Sequence, residues 1–147
     1  MSEITLITKR YDDITDFTSK VNKSVIVFKK KSLLEDRDNL IKYPKLKLSQ
    51  EEIEKAEHDL LEALTQIEQF AKDTDYSNIL NGLTESSGFK KMILNNETDR
   101  KEIEMITQSL KDHKPLFKMH FKMLDKIISA LDSERSLLFR KLRTARG

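Results

Sequence analysis

Ile14, Phe17, Val21, Val25 and Phe28 advance by three and four residues, the step that gathers apolar side chains on one face of a helix. This spacing predicts a first helix within residues 12–43, stopped by Pro44, whose ring disfavours helical backbone in the residue before it. Residues 24–28 are the weak point. Ser-Val-Ile-Val-Phe is a β-branched run that also suits a short strand, which would need residues 4–8 as its partner. A second pattern begins at Ser49. Glu52 follows at the spacing of a capping box, and Glu51, Glu52 and Glu54 sit where the positive end of a helix dipole favours them. Ile53, Ala56, Leu60, Leu64, Ile67 and Ala71 then form a heptad-like seam that Leu61 and Phe70 widen. Asp73, Thr74 and Asp75 end this helix or let it run on to Leu80 and Leu83.

Residues 81–99 lose the period. Asn81-Gly82, residues 85–88 and Asn95-Asn96 are turn formers around an apolar piece at 89–94, which reads as an irregular connector carrying one short helix. From Thr98 a long pattern resumes. Ile103, Ile106, Leu110, His113, Phe117, His120, Leu124, Ile127 and Leu131 occupy a and d positions, Phe121 and Ile128 lie alongside, and Leu138 and Leu142 continue the run. Pro115 falls inside it and predicts a kink or a split, because it lacks an amide donor and clashes with the preceding turn. Unbroken, a helix of about 45 residues would be roughly 70 Å long. Either it folds back at Pro115 to make a four-helix bundle, or it protrudes and pairs with another chain.

The fold class expected is all-α: three long amphipathic helices, the third kinked or split at Pro115, forming a helical bundle or coiled-coil-like assembly. Residues 1–147 read as a single helical domain, with 1–11 and 143–147 as ends that no pattern orders. Composition agrees. Three Gly and two Pro among 147 residues cannot supply the turns of a sandwich, barrel or doubly wound sheet. No cysteine is present, which excludes a disulfide framework and a thiolate metal site and fits a cytoplasmic setting. Glu3 stands where a signal peptide would carry positive charge, and the most apolar stretch, residues 25–28, is far short of the roughly 20 residues a membrane span needs.

The net charge of +2 conceals a segregation. Residues 1–48 carry 11 basic and 7 acidic groups, residues 49–76 carry 2 and 9, residues 77–110 carry 4 and 5, and residues 111–147 carry 10 and 4. An acidic helix between basic ones suggests neighbours that complement each other and so fix orientation. Lys114, Lys118 and Lys122 form a ridge at four-residue spacing that an acidic helix would recognise, and the second helix of this chain is such a helix. The ridge also raises membrane contact through an amphipathic helix, for which internal pairing is the simpler account. Arg135, Arg140, Lys141, Arg143 and Arg146 crowd the end of the chain beyond the last acid, Glu134, and would hold phosphate without reading sequence. They lack the interleaved aromatics that stack on single-stranded bases.

Chemistry beyond binding finds little footing. His113 and His120 lie about 10 Å apart along a helix, too far for one metal ion, and no Glu-x-x-His pair precedes any histidine. Both read as partly buried seam residues, with a pH-sensitive contact as their functional alternative. His58 lacks the residues that follow a phosphotransfer histidine. No nucleophile elbow or phosphate-cradling glycine loop occurs. The expectation is a soluble, non-enzymatic protein–protein interaction module without cofactor or metal, an adaptor, inhibitor or assembly factor, self-associating through its third helix. Phe117, His120, Phe121, Leu124, Ile127, Ile128 and Leu131 are the residues expected to meet a partner, since their seam is longer than the second helix can cover. The alternative is a nucleic-acid-associated accessory protein that uses the basic end.

Overall fold

Four antiparallel helical rods form the described part of the structure, and polar contacts tie neighbouring rods together. A computed structural model describes residues 2–72 and 88–145 of the chain. The elements are α1 (Glu3–Leu34), α2 (Arg37–Lys42), α3 (Gln50–Lys72), α4 (Gly88–Asn95), α5 (Glu97–Lys111) and α6 (Lys118–Ala145). The fold is all-α, and no strand occurs among the described residues. Residues 24–28 are helical, with Val25 and Phe28 buried and Ile26 turned outward.

α1 begins well before the expected start. Ser2 caps it, its hydroxyl accepting from the Thr5 amide at 3.2 Å, and Leu6, Ile7 and Arg10 extend the buried stripe through residues 3–11. The expected single helix within 12–43 also divides. Asp36 caps a separate α2, its carboxylate accepting from the Asp38 amide at 2.9 Å, and α2 stops at Tyr43, before Pro44 as the sequence indicates. The capping box at the head of α3 forms in both directions: the Glu52 amide donates to Ser49 Oγ at 3.2 Å, and the Ser49 amide to Glu52 Oε1 at 3.4 Å. The proposed continuation of this helix to Leu80 and Leu83 and the turn at Asn81-Gly82 lie outside the described residues. The short helix of the connector is α4, and Asn96 then breaks the direction and caps α5.

Pro115 splits the third helix, and with the separate α2 and the short α4 this makes six helices among the described residues where three long ones were expected. The chain leaves α5 through His113, whose φ of 56° is left-handed, and re-enters α6 at Lys118. The missing cap at α6 is supplied by His120, which occupies the position that Glu or Gln takes in a capping box: its Nδ1 accepts from the Phe117 amide at 2.9 Å.

Going round the bundle, α1 packs on α3, α3 on α4 and α5, these on α6, and α6 back on α1, so that α3 and α6 face each other only across the diagonal. Neighbours run antiparallel, as Lys20 with Glu62, Lys29 with Asp125, and Lys126 with Asp99 show. The core is a continuous set that includes Ile7, Ile14, Val21, Leu60, Ile67, Phe89, Ile106, Leu124, Ile127, Leu131 and Leu138. Alanines 56, 63 and 71 let α3 approach closely. Phe17 stacks on Phe70 at 4.8 Å, and Phe70 meets Phe89 edge-on at 5.9 Å, an aromatic chain from α1 through α3 to α4.

One charged pair sits inside this core. Arg10 and Glu134 are 2% and 3% exposed, and the Arg10 guanidinium donates to Glu134 Oε2 at 3.2 Å and to the Phe70 carbonyl at 2.9 Å while lying 4.0 Å from the centre of the Phe70 ring. Removing one partner of such a pair leaves a buried charge without compensation. Glu134→Leu is expected to lower stability by about 3–5 kcal/mol, and Arg10→Met with Glu134→Leu to recover most of that loss. Urea denaturation of the two variants and the parent measures both.

Candidate partner-binding surface

The residues expected to meet a partner do not lie together on the surface. Leu124, Ile127, Ile128 and Leu131 are buried within the chain's own bundle, His120 is buried and Phe121 half-buried, while Phe117 is 60% exposed. The reason lies in two features of the fold. The split at Pro115 folds α6 back beside α5, and α1 runs antiparallel along α6, from Glu3 beside Lys141 to Lys29 beside Asp125. The seam is therefore occupied, and closed to a second chain while the bundle holds. His113 departs further from its expected place. It is 78% exposed in the connector, where Nδ1 lies 2.8 Å from Glu57 Oε2 of α3.

His120 carries a proton-dependent cap. Burial pushes its pKa down, and Glu102 pulls it partly back. Nδ1 must be unprotonated to accept the Phe117 amide, in keeping with the neutral form.

The basic C-terminal residues are spread and partly engaged. Arg135 donates to Asp132 at 3.0 Å and to the Thr15 hydroxyl at 3.4 Å, and Lys141 lies 3.7 Å from Glu3. Arg140 and Arg143 are exposed in the last turns of α6, where they complement its dipole. Arg146 lies outside the described residues.

The opposite end of the bundle presents a different surface. It is built by α2, the 43–49 connector, the 112–117 connector and the first turns of α6. No acidic residue occurs between Asp38 and Glu51 or between Asp112 and Asp125. Lys42, Lys45, Lys47, Lys114, Lys118 and Lys122 in these stretches are exposed, and among the described residues none is in an ion pair. Ile41 is 74% exposed, and Tyr43, Phe117 and Met119 are also exposed at this end. In the connector Leu46 and Leu48 are half-buried while Lys45 and Lys47 are exposed. The lysine ridge is not answered by α3 as expected, because α3 lies across the diagonal from α6. Lys114 also leaves the ridge, standing in the connector and not on α6.

Between the end of α1, α2 and the start of α6 runs a groove of about 630 Å³. Leu33 and Phe121 supply its apolar surface, and Lys29, Lys118 and Lys122 its basic groups. Two carboxylates also line it, Asp36, which caps α2, and Asp125, which lies 3.8 Å from Lys29. Among the described residues no cluster of three or more His, Cys, Asp or Glu is placed to hold a metal ion, and no helix is long and apolar enough to cross a membrane. No protein-family model, curated protein or solved structure matches the chain.

Two measurements check this assignment of faces. Leu124→Glu is expected to unfold the chain, seen as loss of the helical circular dichroism signal, and not merely to change its assembly state. The depressed pKa of His120 has a definite sign: as pH falls through the unfolded value of 6.5 the unfolded chain takes up the proton first, so stability drops and then levels off below the folded pKa. His120→Gln keeps an acceptor at the cap and removes the titration, and should flatten the urea midpoint between about pH 7.5 and about pH 5.5.

Proposed function

We propose that the chain is a non-enzymatic helical interaction module of the adaptor or assembly-factor type, and that it binds a protein partner through the end of the bundle formed by its two connectors. The supporting observation is the coincidence at that end of exposed Ile41, Tyr43, Phe117 and Met119 with lysines that, among the described residues, are in no ion pair. Large apolar side chains set among charges are the composition of an interface. The seam of the third helix, by contrast, is spent on folding, so self-association through it has no support. A nucleic-acid role for Arg135, Arg140, Lys141 and Arg143 draws less support, because Arg135 and Lys141 are turned toward Asp132 and Glu3.

Photoreactive side chains placed at Ile41 and Phe117, with Gln66 and Gln69 on the outer face of α3 as controls, test the reading in cells. Protein adducts from the first two positions and none from α3 are expected. Equal adducts from both faces, or none from the connector end, would overturn it.

A further inference from the structure

We infer that the partner is an acidic amphipathic helix that lies in the groove between the end of α1, α2 and the start of α6. This rests on the interaction reading above and adds the chemistry of what is bound. The groove offers an apolar floor in Leu33 and Phe121, one half-exposed and the other half-buried, which a helix covers with a stripe of its own apolar residues. One edge is Lys118 and Lys122, a single turn apart on α6 and so about 6 Å along its axis. Carboxylates four residues apart on a facing helix match that spacing. Asp125 is met by Lys29 at 3.8 Å and Asp36 accepts the Asp38 amide, and the three lysines of the groove outnumber its two carboxylates. Lys29 itself reaches over the Phe121 ring at 5.7 Å.

Two other occupants fit less well. The acidic α3 of a second copy has the charge, but its exposed residues are Gln, Glu, Lys, Thr and His, without the apolar stripe the floor requires. A flat anionic bilayer would meet the lysines but would also press against Glu35 and Asp38 beside α2, neither of which lines the groove.

The probe is a synthetic amphipathic peptide with Leu at a and d positions and Glu elsewhere, fluorescently labelled and titrated with the full chain. Its controls are a scrambled peptide of the same composition and vesicles of phosphatidylcholine with phosphatidylserine. Binding of the amphipathic peptide, absence of binding by the scrambled one, and a loss of about tenfold or more in Lys118→Glu with Lys122→Glu are expected. Both lysines are exposed, so circular dichroism should show the double variant folded; Leu33→Asp provides an independent second variant that should also weaken binding. Equal binding of both peptides, binding to the vesicles alone, binding unaffected by these variants, or no binding at all would overturn the inference. Protein adducts from Ile41 and Phe117 in cells would still stand in those cases, so failure of the partner chemistry is distinguishable from failure of the interaction reading.

Discussion

The Arg10–Glu134 pair is the constraint around which the bundle is arranged. It occupies one position in the buried stripe of α1 and one in that of α6, and through the Phe70 carbonyl and ring it takes in α3 as well. Apolar stripes alone slide against each other at modest cost, because one leucine layer resembles the next. A buried charge that must keep its polar partners does not slide. The pair fixes the register of α1 against α6, and by way of Phe70 the height of α3 and, through Phe89, of α4. Its contribution is one of arrangement more than of net stability.

Once the register is set, the polar contacts on the surface fall into line. Lys20 meets Glu62, Lys29 meets Asp125 and Lys126 meets Asp99, the last through two contacts of 2.8 Å to a carboxylate that is itself buried. Exposed pairs of this sort add little individually. Together they disfavour other arrangements of four similar rods. The complementarity between acidic and basic segments is therefore narrower than the charge totals suggest, since α3 touches α1 but not α6.

Much of the fold was legible in the sequence. The three-and-four period located the core residues of α1, α3, α5 and α6, Ser49 and Glu52 marked the start of α3, and Pro115 marked the split that makes the bundle four-sided. What could not be read depended on distance. Arg10 and Glu134 are separated by 124 positions, and the only local hint was that opposite charges fill stripe positions where apolar residues were due. The early start of α1 was missed because Thr5, Thr8 and Lys9 dilute the stripe that Leu6 and Ile7 begin. The burial of the α6 seam could not be read locally, because its cover is supplied by α1, distant in sequence, and by α4 and α5 folding back against it. The candidate surface was only half visible: the lysines at 114, 118 and 122 drew notice, whereas the exposure of Ile41 and Tyr43 and their nearness to the start of α6 follow from the topology.

The groove has walls of unequal firmness. α6 and α1 are anchored along their length by the core, while α2 is a helix of six residues that packs on α1 alone. A single turn and a half has little helical stability of its own, so α2 belongs to the part of the molecule that opens at low free-energy cost. A binding cleft with one fixed side and one yielding side can adjust its width to the side chains laid into it, and its selectivity then resides in the charges of the fixed side more than in the shape of the whole.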